Sequence, residues 1–200
     1  MSGMPDSLPF WIGAAIALFW FVGAYNRIVR LRSAALQAYA ALDAALVRQL
    51  DFVQARVAQA LAEGEGAGSD DPRSGASLKA AADQLVTLLA ATRLHPLEPA
   101  GIAALGTALH VMLAAWQRLH PEAVVSFEAD GTLSRPVPLG DREEVPNGHV
   151  PIAWPEPSAA AEIARGQFNL AVGQYNAAIT QFPAQMVAWI MQLRLAAPLR

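Results

Sequence analysis

Apolar residues recur at alternating spacings of three and four in four tracts of this chain. That rhythm is typical of helices that bury one face. The stripe positions are Leu36, Tyr39, Asp43, Leu46, Leu50, Val53 and Val57; then Leu78, Ala81, Leu85, Leu88 and Thr92; then Ile102, Leu105, Leu109, Met112, Trp116 and Leu119; and finally Phe168, Val172, Tyr175, Ile179 and Phe182. The pattern predicts an all-α fold, an antiparallel bundle of long helices near residues 26–62, 77–94, 99–120 and 158–195.

A different apolar pattern precedes the first stripe. Residues 8–25, LPFWIGAAIALFWFVGAY, carry no charge and no polar periodicity. As a helix they would extend about 27 Å, close to the hydrocarbon thickness of a bilayer. Only Asp6 is charged within the tail of residues 1–7, and no small-residue cleavage site follows the run, so a cleaved signal peptide is disfavoured. We predict a retained transmembrane anchor that contacts the lipid bilayer and continues into the first bundle helix.

Basic residues follow this anchor and do not precede it. Arg27, Arg30, Arg32 and, further on, Arg48 lie on its C-terminal side. The positive-inside bias therefore predicts a single-pass protein of the cell (inner) membrane, with its N-terminus outside and the helical domain of residues 26–200 in the cytoplasm.

Two segments interrupt the helical tracts. Residues 63–75 hold four glycines and a proline among charged and small residues, which predicts a surface loop. The insertion of residues 121–157 is rich in proline and contains two β-prone runs around Asp130-Gly131, a favoured hairpin turn. We expect a small β-hairpin followed by a loop, in which Trp154 either packs onto the bundle or binds a partner.

The letters Arg-Leu-His-Pro occur twice, at residues 93–96 and 118–121. Proline disfavours helix at the residue before it, and a basic side chain suits the C-terminal end of the helix dipole. Both copies therefore predict helix ends. A paired site of His95 and His120 is the weaker interpretation, because a zinc site needs three or four converging ligands.

Composition excludes several function classes. The chain has 200 residues, no cysteine, a net charge of −3 and 54% hydrophobic residues. Disulfide and thiolate chemistry are excluded, and there is no general basic surface for nucleic acid. Phosphate-loop, GxSxG and HExxH motifs are absent from the sequence. We predict that the protein is not an enzyme and has no cofactor and no metal site.

Polar residues at stripe positions are the candidates for specific contacts. Asp43 stands where an apolar side chain is expected, so it needs a partner such as Asn176, Tyr175 or an arginine; a ligand-binding or proton-handling role is the alternative. Asn169 and Asn176 are one heptad apart and share a flank of the last helix, from which they could hydrogen-bond across a helix interface.

Two segments resemble the LemA family, namely residues 25–53 and 162–183. After the anchor comes Tyr25-Asn26-Arg27-Ile28-Val29, and Tyr39, Asp43, Arg48 and Asp51 occupy the family's aromatic, acidic and basic places. The second segment matches the pattern FN-x-x-V-x-x-YN-x-x-I-x-x-FP at Phe168, Asn169, Val172, Tyr175, Asn176, Ile179, Phe182 and Pro183. Gln49 and Gln54-Ala55 depart from the family, as does the insertion, so the chain resembles a divergent member.

The resemblance implies a single-pass membrane protein with a helical domain and no agreed reaction. It carries over no catalytic residue. We therefore expect a membrane-anchored interaction or scaffold module that binds unknown protein partners, with a second copy of itself as a further candidate. The alternative is a bundle that binds lipid or a small apolar ligand at the membrane surface. The structural or interaction candidates are Asp43, Arg48, Asp51, Trp154, Asn169, Tyr175 and Asn176.

Overall fold

The computed structural model describes residues 8–62, 72–120, 126–127, 133–134, 155–182 and 184–200. The predicted all-α class is confirmed. Within these ranges the helices are α1 (Leu8–Ala62), α2 (Pro72–Leu94), α3 (Pro99–Leu119), α4 (Pro155–Thr180) and α5 (Ala184–Ile190). Two short strands, β1 (Ser126–Phe127) and β2 (Leu133–Ser134), lie between α3 and α4.

The 55 residues of α1 form one continuous helix with two different environments. From Pro9 to Trp20 every residue is exposed, whereas Ile28 is the first fully buried residue and begins a stripe that continues to Val53. Helix α1 therefore joins a segment with exposed apolar side chains to the packed bundle without a break, as the sequence predicts.

Among the helices that the structure describes, α1 and α3 are long and apolar enough to cross a membrane. Their apolar windows differ in burial, because 6% of the window in α1 is buried and 44% of the window in α3. The apolar character of α3 is therefore used in the protein core, while that of the first part of α1 is left uncovered by protein.

The helices pack as antiparallel neighbours. The rings of Tyr39 on α1 and Phe168 on α4 meet edge to face at 5.9 Å, and Trp20 meets Phe182 at 6.1 Å. As residue numbers rise along α1 from Trp20 to Tyr39, they fall along its neighbour from Phe182 to Phe168, so α1 and α4 are antiparallel. On the other side α2 and α3 form a hairpin, and Trp116 of α3 reaches α1. One hydrophobic core unites all five described helices.

Helix ends differ in part from the predicted bounds. The ends of α2 and α3 at Leu94 and Leu119 agree with the two Arg-Leu-His-Pro signals. However, α2 begins at Pro72 instead of residue 77, and α4 begins at Pro155 instead of residue 158. Proline suits the first helical position because its fixed φ is helical and its missing N–H would have no partner there.

The prediction that the last helix extends over residues 158–195 is wrong. Helix α4 ends at Thr180, α5 occupies only Ala184–Ile190, and residues 193–200 belong to no helix or strand. A proline at position 183 explains the first break, since it lacks an N–H and clashes with the preceding turn; Pro183 itself lies outside the described residues. The second break follows Gln192, whose φ of 52° is left-handed.

The predicted β-hairpin is present in small form. Ser126 pairs with Ser134 and Phe127 with Leu133 in antiparallel register. The predicted turn residues Asp130 and Gly131 lie outside the described part of the chain, as do Trp154 and most of the insertion.

Candidate functional site

The most specific polar contacts of the protein hold an extended segment against α4. We call residues 193–200 the strap. Leu193, Ala196 and Leu199 face the protein, and the last two are fully or almost fully buried. Burial at every third residue is typical of an extended chain with three residues per turn. Such a chain makes no hydrogen bonds within itself, so its main-chain groups need other partners.

Two asparagines of α4 supply those partners. Asn169 Nδ2 donates to the Leu199 carbonyl at 2.9 Å, and Asn169 Oδ1 accepts from the Leu199 N–H at 2.7 Å. Asn176 repeats the arrangement on Ala196, donating at 2.8 Å and accepting at 2.9 Å. A carboxamide has one donor side and one acceptor side, like a peptide unit. Each asparagine therefore satisfies both main-chain groups of one strap residue.

We call these two pairs of asparagine hydrogen bonds the clamps. Their spacing follows from chain geometry. Asn169 and Asn176 are separated by seven residues of helix, which is about 10.5 Å. Ala196 and Leu199 are separated by three residues of extended chain, which is roughly 9 to 10 Å. The two lengths match, so a heptad on the helix is in register with one three-residue turn of the strap. The strap runs antiparallel to α4.

Tyr175 fixes the beginning of the strap. Its hydroxyl donates to the Arg194 carbonyl at 3.1 Å. Burial raises the pKa of Tyr175 above its ordinary value of about 10, and nearby Arg32 acts weakly in the opposite direction. The phenol is therefore neutral and available as a donor at physiological pH. The asparagines share a flank as predicted, but their partner is this strap and not a neighbouring helix.

Helix α3 forms the other wall beside the strap. A Cβ placed on Gly106 would lie 2.9 Å from the Arg200 carbonyl oxygen and 3.3 Å from Leu199 Cδ1. Only glycine permits this close approach of α3 to the strap main chain. The groove is thus lined by Asn169, Tyr175 and Asn176 from α4 and closed by Gly106 from α3.

A second set of polar contacts joins α1 to the end of α2. Asp43 Oδ1 accepts a hydrogen bond from Arg93 Nε at 2.8 Å, so the partner of Asp43 is an arginine. Its carboxylate raises the pKa of Arg93 through this bond. One turn away, the Tyr39 hydroxyl lies 2.7 Å from Thr92 Oγ1. Because Thr92 donates its proton to the Leu89 carbonyl, Tyr39 donates to Thr92.

The remaining predicted residues do not join either set. Arg48 and Asp51 are exposed on α1, and Trp154 lies outside the described residues. Gln49 lies between them in sequence but is almost fully buried. In the part of the chain that the structure describes, its Oε1 has no hydrogen-bond partner. This is a stability defect in the core, because a buried acceptor lost its contact with water without replacement.

An apolar surface lies beside the exposed apolar part of α1. Phe182 touches Trp20 of α1, and Met186, Trp189 and Ile190 on α5 are exposed, Trp189 by 82%. Val187 and Ala188 on the opposite side of α5 are buried in the core. Helix α5 therefore carries apolar side chains on both its buried and its exposed side, and Phe182 just before it contacts α1 at Trp20. We call Phe182, Met186, Trp189 and Ile190 the α5 lip.

The strap, Arg93, Thr92 and Gly106 are functional or structural partners that sequence reasoning missed. The available signal for the strap was its period of three, Leu-x-x-Ala-x-x-Leu at residues 193–199, with a proline at position 198 that is incompatible with a helix interior. No short-range signal pairs Asp43 with Arg93, because the two are fifty residues apart.

The described arrangement recognises polypeptide main chain. Among the described residues no three His, Asp or Glu side chains cluster as metal ligands would, and cysteine is absent from the sequence.

No family model, curated protein or solved structure compared with this chain matches it.

Proposed function

We propose that this protein is a single-pass, membrane-anchored helical interaction module of the LemA type. The observation that carries the proposal is the continuity of α1, whose apolar run of residues 8–25, exposed throughout residues 9–20, leads without a break into the core of the bundle. A helix with apolar side chains exposed all round needs an apolar solvent, and its length suits a bilayer. The bundle is then held at a fixed distance from the membrane.

The charge distribution supports a cytoplasmic bundle. Arg27, Arg30 and Arg32 follow the span immediately, and all three are exposed. Because the chain has no cysteine, orientation is testable with the single substitution Leu94→Cys at an exposed position of the bundle. A membrane-impermeant maleimide should label this residue in inverted vesicles and leave it unlabelled in right-side-out vesicles. Labelling only in right-side-out vesicles would contradict the cytoplasmic orientation.

The residues of the LemA-like pattern support the assignment to that type. Asn169, Tyr175 and Asn176 all bind the strap, and Asp43 joins α1 to α2. These contacts give Asp43, Asn169, Tyr175 and Asn176 a structural role, whereas Arg48 and Asp51 of the same pattern take part in none of them. An interaction module needs a scaffold with a stable fold, and these residues of the LemA-like pattern help to maintain that fold.

Exposed apolar residues on α4 offer a place to capture partners. Ile163 and Leu170 are one heptad apart and each is more than half exposed, so they lie on one outward face. A photocrosslinking amino acid at either position should capture specific proteins in native membranes. The matched control is the same amino acid at Thr87, an exposed polar position on α2. Equal, unspecific capture at all three positions would count against the interaction module.

A second function, lipid contact, is favoured by the α5 lip. Its aromatic and aliphatic side chains lie beside the anchor, where the headgroup region would be, and tryptophan prefers that region. An open depression next to it is lined by Ala188, Trp189, Ile190, Gln192, Leu193 and Arg194. Trp189→Gln with Ile190→Gln should reduce the phospholipid that copurifies in mild detergent. Ile163→Gln with Leu170→Gln is the matched control, and an equal loss there would argue against a specific lip.

A further inference from the structure

We propose that the groove between α3 and α4 is an exchangeable binding site for an extended segment of a partner protein, and that the strap is its internal occupant. The inference deepens the proposed interaction module and rests on it for its biological role. The binding chemistry stands on the strap itself, which displays the kind of peptide the groove accepts.

Recognition in the groove is directed at main chain. The asparagine clamps contact the N–H and C=O groups of residues 196 and 199, and Tyr175 contacts the carbonyl of Arg194. These groups are common to all residues except proline, which lacks the N–H. The side chains that the groove buries are those of Ala196 and Leu199. Any extended segment with apolar residues three apart therefore satisfies the same contacts.

The pattern required of a partner can be stated from the strap. It is apolar-x-x-small-x-x-apolar, following Leu193, Ala196 and Leu199. The clamps need an N–H at the second and third of these positions, whereas the intervening positions need none. Pro198 occupies one of them. Proline-containing extended segments, which are already ordered in this conformation, fit the groove well.

The strap is attached in a way that allows release. It belongs to no helix or strand, and it leaves α5 through Gln192 at a φ of 52°. Gln192 lies in the C-terminal cap of α5, where the Leu193 N–H donates to the Ala188 carbonyl at 2.9 Å, so the end of α5 is closed without the strap residues beyond Leu193. Arg194, Leu195, Pro198 and Arg200 are exposed. The strap is thus a segment outside the helices that contributes Ala196 and Leu199 to the core, and its release would expose their binding pockets without breaking a helix.

The probe for the test is a fluorescent synthetic peptide with the strap sequence LRLAAPLR, residues 193–200. It is added to the full chain in neutral detergent micelles, and binding is followed by anisotropy. The tethered strap competes at an effective concentration of about millimolar, so the unmodified chain should bind the peptide weakly. Leu199→Asp loosens the tethered strap without changing the groove, and it should tighten peptide binding by roughly tenfold or more.

The specificity control adds Asn169→Ala and Asn176→Ala to the loosened chain. Removing both clamps should reverse the gain. Equal peptide binding with and without the clamps would overturn the proposal, and so would a loosened chain that keeps its helical circular dichroism but gains no binding. A peptide carrying aspartate at the Leu199 position should not bind.

A second variant covers the case in which Leu199→Asp fails to fold. A protease site inserted after Gln192 is cut once the unmodified core has folded, which frees the strap without any substitution in it. The cut strap should exchange for the labelled peptide. A cut chain that retains its structure and refuses the peptide would overturn the proposal. If the unmodified chain instead forms dimers that are lost on Leu199→Asp, the occupant is the strap of a second copy, and a different protein as partner is ruled out.

The outcome is separable from that of the proposed function. Peptide binding in micelles requires neither a membrane nor a native partner. It can therefore fail while crosslinking at Ile163 and Leu170 succeeds, which would leave an interaction module with a different docking surface.

Discussion

Two helices of this protein have nearly the same hydropathy and opposite environments. The apolar windows of α1 and α3 reach mean hydropathies of 1.5 and 1.4, yet 6% of the first and 44% of the second is buried. In α3 the large apolar residues follow one stripe, from Ile102 to Trp116, and that stripe faces the core. In the first part of α1 they surround the helix. Hydropathy therefore indicates that a helix needs apolar surroundings, and the distribution around its axis indicates whether protein or lipid supplies them.

The largest expected effect comes from placing a charge in each helix. Leu105→Asp buries an unpaired carboxylate at a fully buried position of α3. It should cost more than about 4 kcal/mol and unfold the bundle. Ile16→Asp on the uncovered part of α1 should leave thermal unfolding in detergent unchanged, but should weaken membrane integration by about 2.5 to 3.5 kcal/mol. Circular dichroism melts and alkaline membrane extraction measure the two effects. A destabilised bundle in Ile16→Asp would break the comparison.

A smaller effect distinguishes two glycines within helices. Gly106→Ala places a methyl group against the strap main chain, because the Arg200 oxygen would lie 2.9 Å away. The substitution should destabilise by about 1 to 3 kcal/mol and speed hydrogen exchange of the Leu199 amide. Gly166→Ala on α4 meets nothing within 4 Å. It should stabilise by about 0.5 to 1 kcal/mol through helix propensity. Identical effects would show that the strap does not press on α3.

Gln49 is a buried polar residue in the largely apolar core of the bundle. Gln49→Leu removes a buried oxygen that has no partner among the described residues. It should raise the free energy of unfolding by about 1 to 2 kcal/mol. Gln174→Leu, at an exposed position of α4, should change it by less than about 0.5 kcal/mol. Chemical denaturation of the two variants in the same detergent makes the measurement. Destabilisation by Gln49→Leu would mean that the amide has a partner essential to the core.

The smallest effect is the alkaline response of two buried tyrosines. Burial raises the pKa values of Tyr39 and Tyr175 in the folded protein. Their unfolded value is about 10. Below pH 10 both states keep the protons, so these groups add no pH dependence. Above it the unfolded state loses protons first, and stability should fall as pH rises towards the folded values. Tyr39→Phe with Tyr175→Phe should flatten this decline in denaturation curves between pH 9 and 11. An unchanged slope would contradict burial of the phenols.

The sequence predicts the helices better than their ends and partners. The stripes of α1 and α3 are long and regular, so their spacing is sufficient to place them. The predicted start of α2 at residue 77 is five residues too late, because Pro72 begins the helix. Proline is a start signal at the first helical position, since its fixed φ is already helical.

The sequence predicts one part of the candidate site, the two asparagines, but not the strap that they bind. The heptad spacing of Asn169 and Asn176 places both side chains on one flank, and this follows from helical geometry alone. Their partner does not follow from it, because a carboxamide suits a helix, a strand or an extended segment equally well. The strap lies mostly beyond the predicted last helix, which includes only residues 193–195 of it because they continue an apolar run. Its period of three, and not its composition, is the feature that separates it from a helix.

The central claim is that the uncovered part of α1 is covered by lipid. Phe19 on this part and Leu94 on the bundle are 83% and 76% exposed in the protein alone. Because the chain has no cysteine, Phe19→Cys and Leu94→Cys give single labelling sites of similar accessibility. In membranes opened to both sides, a water-soluble maleimide should label Leu94→Cys quickly and Phe19→Cys hardly at all, and detergent denaturation should make the two equal. Equal labelling in intact lipid would contradict the account.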